Sequence, residues 1–491
     1  MEPGQGRRDQ RTQERLAVRT IPIADPGDLV AALPEPAALA WIRHGDGLVG
    51  WGEAARITLP AGEDRFTAGE KWLRELFDGA NVDDQVGVPG SGPVAFGSFT
   101  FDSASDGSVL VVPSTIIGRR EGQSWLTMIG QETFLPEEDG QANAAQPRPG
   151  GALKPNGAWH LDLPLSHNGS RLSQYGTRLS RNGTRVSRNG TRLSRSGTRV
   201  SRNGAPYPND PVAAPSVVRW SDGSLAAPDW ELAVAAAVGR IRAGELRKVV
   251  LARDLYANGS ADIDPRLLLH RLATRYPDCY TFACAGLVGA TPELLIRRQD
   301  TDISSLVLAG TAPRGRDAAE DAAFGASLLS SAKDTEEHEY AVAGVRTALA
   351  RLCDELVVDS RPSLLRLANV QHLATGITGR LAPGTDGNEH SVLALAAALH
   401  PTGAVCGTPT ETAMELIREL EGMDRGRYAG PLGWIDARGN GEWGIALRCA
   451  EIDGRRARLF AGCGIVAGSD PEAELAEAQA KFSVVQFALE S

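Results

Sequence analysis

Residues 460–481, FAGCGIVAGSDPEAELAEAQAK, constrain the fold of this chain more than any other stretch. The pattern is a strand, a Gly-rich turn and then a helix. Gly462, Gly464 and Gly468 permit sharp backbone turns and let a ligand approach peptide N–H groups closely. Asp470 is a suitable N-cap, and Pro471 suits the first helical position. Glu474, Glu477 and Lys481 then fall at i, i+3 and i+7 and share one helix face. Two carboxylates and an ammonium beside a glycine turn suggest a site for a hard cation and an anion. The same pattern describes a solvated acidic helix with an i,i+4 Glu–Lys pair, so this stretch alone leaves both readings open.

The rest of the chain is long enough, at 491 residues, for one large domain with additions or for two to three domains. Its 42% apolar content is ordinary for a globular protein. No run of about 18 apolar residues is present, which gives no membrane span. The first residues, MEPGQGRRDQRTQER, lack the apolar core of a secretory signal. Six cysteines, none in a CxxC pair and most in apolar runs, fit reduced buried thiols in a cytoplasmic protein. A net charge of −10 gives no overall reason to expect nucleic acid as a partner.

Residues 1–20 read as a disordered N-terminus. From 21 to 150 short strands alternate with turns. AFGSFTF (95–101) and VLVVPSTIIGR (109–119) read as strands, with a helix at about 68–77. Residues 151–215 form a linker without a core pattern, and a seven-residue repeat such as RNGTRLS occupies 166–204. Each unit has a glycine and one aliphatic residue, not a coiled-coil a/d pair. The repeat carries arginines and no acid, which fits either a basic patch or a disordered insertion. Its low aliphatic content favours the insertion.

Strong patterning returns in residues 216–491. Asp229 can cap a helix running to about Ala243. Lys248 sits inside an apolar strand, RKVVLARDLYA. Burial there would favour the neutral amine and make it a candidate general base, the alternative being an edge-strand lysine. CYTFACAGLVGATPELLIRR (279–298) reads as strand, turn, strand. Its Glu293, beside an apolar run, would hold a proton to higher pH and serve as an acid, or be an ordinary strand-end glutamate. LVLAGTAPRG offers Gly310 and Thr311 at a turn. KDTEEHEYAVAGVRTALARL (333–352) is a helix with Glu336, Glu337 and Glu339 in its first turn. Negative charge is favoured there, and one of these carboxylates could also meet Glu474 or Glu477 around a divalent cation. VQHLATGITGRL (370–381) is strand-like with His372 embedded. Residues 427–452 read as a hairpin around Gly439-Asn440-Gly441, with Arg448 on the second strand able to fork onto a carboxylate.

Taken in order, RKVVLAR, ATPELL, LAGTAPRG, KDTEEH, HLATG, HPTGAVCGTP, RYAGPLGWID, ALRCAE and the C-terminal stretch resemble the chorismate-utilising enzyme family, that of anthranilate synthase component I. AFGSFTF and WGEA are similar to the family's variable first part. The resemblance implies an α/β (α+β) fold with large, mainly antiparallel sheets packed with helices around a central active site. It implies that Glu337 and Glu477 ligand Mg²⁺, with Glu474 acting directly or through water. Arg448, Tyr428, Lys481, His372 and the backbone around Gly462 and Gly310–Thr311 would hold chorismate.

By the same resemblance, Lys248 activates water and Glu293 protonates the departing C4 hydroxyl. Ala404 stands where the branch that converts chorismate to isochorismate has alanine. Salicylate and anthranilate synthases tend to have threonine there, although salicylate synthases share the lysine and the glutamate. The expected partner is chorismate alone, in a cytoplasmic monomer without an amidotransferase subunit. A binding protein using the basic repeat is the reading from a different class. Isochorismate feeds both menaquinone and catecholate siderophores, and no residue chooses between them.

Overall fold

Apolar alternation and β-branched runs make strands through most of the chain, and these strands collect in two large sheets. The computed structural model describes residues 15–34, 36–131, 218–383 and 390–490, together with Arg178–Leu179, Arg185–Val186, Arg192–Leu193 and Arg199–Val200. Those four pairs are short strands, one in each successive repeat, joined antiparallel. The rest of the 166–204 repeat lies outside the described residues, as do residues 1–14.

The larger sheet has 13 strands. At one end it runs Val218–Asp222, Lys248–Gly259, Arg456–Ile465, Cys449–Asp453, Leu287–Thr291 and Tyr280–Cys284. It then continues into N-terminal strands, beginning with Leu39–Arg43. The second sheet has 10 strands. Its middle is Val370–Leu381, Asp302–Pro313, Leu294–Gln299, Gly441–Ile445, Pro431–Asp436 and Val94–Ser98. In both sheets the strands from the N-terminal part of the chain therefore form one side and those from the C-terminal part the other. Among the described pairings only Leu16–Ile23 with Asn81–Asp84 is parallel.

Two crossings tie the sheets together. The chain leaves the larger sheet at Thr291, turns through Pro292 and Glu293, and enters the second sheet at Leu294. It returns from Ile445 through Ala446, Leu447 and Arg448 to Cys449. The crossings touch. Ile445 N–H donates to Glu293 O at 3.3 Å, and Ala290 N–H donates to Arg448 O at 3.2 Å. A Cβ on Gly444 would stand 2.8 Å from Glu293 O, so glycine is what lets the two backbones meet.

Helix Pro471–Glu490 packs on strand Arg456–Ile465, flanked by helices Ala227–Arg242 and Pro265–Arg275. Helix Ala332–Leu349 packs on Asp302–Pro313 of the second sheet. Between these layers lies a core that includes Trp41, Trp125, Trp434 and Trp443. Among the described residues no helix is long and apolar enough to cross a membrane.

Several expectations are corrected. The disordered start gives way at Leu16, because LAVRTIPI pairs along its whole length with Gln123–Gln131. The strand at 109–119 is two, Ser108–Val112 and Thr115–Arg120, since Pro113 lacks the N–H to continue a ladder. Residues 279–298 make three strands, because Ala285–Gly286 turns left-handed and Pro292 ends the second. Asp229 lies in the first turn of Ala227–Arg242, behind Ala226 at the cap. Ser331 caps Ala332–Leu349, accepting from Asp334 N–H at 3.2 Å, which moves Glu336, Glu337 and Glu339 beyond the first turn.

A buried ion pair secures the central strand. Arg425 and Glu421 are 2% and 1% exposed. Arg425 donates to Val250 O at 2.7 Å and Val405 O at 2.9 Å, and Glu421 accepts from Ala252 N–H at 2.7 Å. Glu421→Ala leaves that guanidinium buried without its carboxylate and should lower unfolding stability by about 3–5 kcal/mol, measured by urea denaturation.

Candidate active site

The two sheets, the crossings and the ends of two helices enclose a pocket of about 80 Å³ that opens to solvent. Its walls come from the places where regular structure is interrupted or stripped of side chains. Gly462 and Gly464 are both within strand Arg456–Ile465, not in the turn expected from sequence. Their function is close approach. A Cβ on Gly464 would lie 2.3 Å from Glu337 Oε1 and 3.1 Å from Lys248 Cε, and one on Gly462 would lie 3.1 Å from the Tyr428 hydroxyl.

Gly310 interrupts the pairing of Asp302–Pro313 with Val370–Leu381, where the register shifts between Ala309 and Thr311. Its φ of 76° is the left-handed bulge that glycine tolerates. The bulge presents Gly310 O to His372 Nδ1 at 3.3 Å, and Thr311 Oγ1 lies 3.1 Å from the same nitrogen. His372 Nε2 then accepts from Arg448 Nη2 at 3.4 Å. Burial, with Arg448 and Lys481 nearby, pushes the imidazole down to about 3, so His372 is neutral.

Arg448 is not on a strand. It ends the second crossing with φ 50°, a conformation costly for a residue with a Cβ. Its guanidinium is buried, and among the described residues no carboxylate lies within ion-pair distance of it. A buried cation facing a cavity without a counter-ion is a ready site for an anion.

Glu293 ends the first crossing and is buried on the cavity wall. Burial pushes its carboxyl up to about 8, against the opposing pull of Lys248 and Arg448. It is therefore a protonated acid at neutral pH. Lys248 is also buried but does not line the cavity. Its Nζ stands behind Glu337, 2.9 Å from Oε1.

The carboxylates stand on the two helices. Glu337 and Asp334 come from Ala332–Leu349, and Glu474 and Glu477 from Pro471–Glu490. Lys481 Nζ lies 2.6 Å from Glu477 and donates to Gly462 O at 2.7 Å. Lys333 Nζ lies 3.4 Å from Glu474. Burial raises the Glu474 carboxyl, and Glu477 beside it adds to the rise. Burial also raises Asp334, with Glu337 and Glu477 contributing. Burial would raise Glu477 too, but Lys481 brings it net down. Glu474 and Glu477, whose oxygens lie within 4.8 Å of each other, offer the hard oxygen donors that a divalent cation such as Mg²⁺ takes, while Glu337 falls outside that close group. Cys463 Sγ lies within 4.8 Å of the Glu474 and Glu477 oxygens, but burial holds its thiol well above the usual range, and it donates to Glu474 O at 3.3 Å.

Of the residues that the family resemblance assigns to the site, all but Lys248 line this one pocket, Ala404 and Tyr428 included, whereas Glu336, Glu339 and Gly468 do not. Tyr428 stacks on Phe460 with ring centroids 4.9 Å apart. Lys333 and Asp334 received no role from sequence. The signal was present, since they precede Glu337 by four and three residues on one helix face. His338 was missed as well. It sits beneath the bulge, with Nδ1 3.3 Å from Ala309 O and Nε2 2.7 Å from Thr375 Oγ1.

Comparison with known proteins adds a family. Residues 186–490 match the model of the chorismate binding enzymes. The chain is 43% identical over 316 residues to a Mycobacterium tuberculosis protein provisionally named isochorismate synthase MenF, covering 57% of this chain and 84% of the relative. It is 43% identical over 265 residues to isochorismate synthase DhbC of Bacillus subtilis, covering 52% and 66%. A crystal structure from Bacillus anthracis, provisionally titled a 2,3-dihydroxybenzoate-specific isochorismate synthase, superposes with TM-score 0.66 at 28% identity, over 94% of this chain and 98% of that one.

Gly464→Ala tests the close approach. The added methyl must displace Glu337 or Lys248, so Mg²⁺ should bind about tenfold more weakly in a calorimetric titration, with the protein still folded.

Proposed function

The chain belongs to the chorismate-binding enzymes, and from that premise we propose that it is an isochorismate synthase acting through the pocket between its two sheets. The observation that supports this most is the pairing of a protonated acid, Glu293, with an uncompensated Arg448 on the same wall. The reaction requires both: an anchor for a dianionic substrate and a proton donor for a poor leaving group.

In this reading Arg448 takes a carboxylate of chorismate, with His372 behind it as a neutral acceptor that fixes the guanidinium. Lys481 and the Gly310–Thr311 bulge contribute further contacts, and Tyr428 and Ala404 shape the wall. Lys248 accepts a proton from water as that water attacks C2. The ring double bonds shift, the C4–O bond breaks, and Glu293 gives its proton to the leaving hydroxyl. One water enters and one leaves, so the mass is unchanged. Glu337, Glu474 and Glu477 would hold Mg²⁺, which supplies positive charge against the ring carboxylate. Lys248 Nζ stands 2.9 Å from Glu337 Oε1 and does not line the pocket, so it reaches that water only when the Glu337 side chain moves aside. Water is the nucleophile, so the reaction needs no ammonia and no amidotransferase subunit.

Purified protein given chorismate and Mg²⁺ without ammonia should yield isochorismate of unchanged mass, and a chelator should stop the reaction; chromatography with mass spectrometry reads both. Salicylate with pyruvate would move the protein to the lyase branch and show that Ala404 does not decide the outcome. Lys248→Ala and Glu293→Gln should each lower kcat by about 10²–10⁴-fold while chorismate still binds. Near-normal turnover in either variant would remove the assigned role.

The pH dependence has a definite sign. Glu293 must be protonated to donate, and its carboxyl titrates at about 8. The alkaline limb of the kcat/KM profile should therefore fall as pH rises through that value. A profile flat to pH 10 would exclude Glu293 as the acid.

A further inference from the structure

Three lysines hold the carboxylates of the pocket, and one of them has different surroundings. Lys248 and Lys481 are 1% and 9% exposed, at 2.9 and 2.6 Å from Glu337 and Glu477. Lys481 is further fixed by its bond to Gly462 O. Lys333 is 44% exposed and stands 3.4 Å from Glu474, whose own side chain is only 6% exposed. Lys333 lies in the first turn of helix Ala332–Leu349 and Glu474 in the first turn of Pro471–Glu490. Their contact thus spans two helix N-termini at the edge of the cavity that both line.

A divalent cation entering among Glu337, Glu474 and Glu477 meets all three ammonium groups. Two of them are buried and cannot reach water without dragging an unpaired charge through the interior. Lys333 can. Its aliphatic stem can stay on the protein while the head turns out to solvent.

We propose that Lys333 is a positioning residue that acts as a displaceable counter-ion, resting on Glu474 at the edge of the pocket until a divalent cation takes its place. The proposal rests on the metal reading of the preceding subsection and adds a residue that governs loading. It has a counter-intuitive consequence. Because the cation must displace Lys333, removing that charge tightens metal binding, whereas loss of a merely structural contact loosens it.

The probe is Mn²⁺, titrated into the full-length protein and followed by electron paramagnetic resonance of the free ion. Lys333→Met keeps the stem and removes the charge. Its Mn²⁺ dissociation constant should fall about fivefold at low ionic strength, and the difference should shrink as salt is added. Lys333→Arg keeps the charge and should stay close to the parent protein. Unchanged or weaker Mn²⁺ binding by Lys333→Met, with an unaltered thermal unfolding midpoint, overturns the counter-ion role and leaves the metal site standing. If the parent protein takes up no Mn²⁺ at all, the metal reading itself fails and the proposal fails with it.

Discussion

A cavity lined with ionisable side chains survives in a protein interior only if its charges are matched. Here the matching is one to one between helix-borne carboxylates and lysines: Glu337 with Lys248, Glu477 with Lys481, Glu474 with Lys333. Three groups stay outside this scheme. Asp334 is pushed towards its neutral form by burial and its acidic neighbours. Glu293 avoids a charge altogether by keeping its proton. Arg448 cannot lose its proton, because a guanidinium is always charged, and so it keeps an unanswered positive charge.

The positions of Glu293 and Arg448 follow from topology more than from local sequence preference. Each ends a short connection by which the chain passes from one sheet to the other. Backbone in such a connection has left one ladder and not yet joined the next, so its side chain is free to point into the gap. The two connections are held against each other by backbone hydrogen bonds and by glycines that let them touch. Glu293 and Arg448 are therefore fixed relative to one another, with Arg448 held at a φ of 50° by its surroundings.

Much of this was readable in the sequence where a local pattern coincides with the final structure. The strand expected at 370–381 is Val370–Leu381, and the C-terminal turn and helix fall where Gly468, Asp470 and Pro471 place them. Local pattern misled where the cause is long-range. Gly462 and Gly464 look like turn residues, but they are strand residues whose missing side chains make room for Glu337, Lys248 and Tyr428, contacts separated by many residues in sequence. Arg448 looks like a strand residue because its flanks are apolar, and only the passage between sheets removes it from the ladder. Lys333 gives no sign of its partner, since Glu474 lies 141 positions away.

The N-terminal strands, which bring no residue to the pocket, still bear on it through one cluster. Glu442, on strand Gly441–Ile445, accepts from Trp41 Nε1 at 2.8 Å and pairs with Arg120 at 3.0 Å and Arg297 at 3.1 Å. Trp41 stacks on Tyr280 with centroids 4.8 Å apart, and Arg297 donates to the Tyr280 hydroxyl at 3.1 Å. Trp41 and Arg120 belong to the N-terminal part, Tyr280 to the larger sheet, and Arg297 and Glu442 to the second sheet. One carboxylate thus ties both sheets to the N-terminal strands. It does so on the strand that feeds the Arg448 crossing, while Arg297 lies on the strand that follows Glu293. Loosening this cluster leaves every pocket residue in place along the chain, yet it frees the two crossings to shift against each other. The N-terminal part of the chain can therefore bear on a site it never touches.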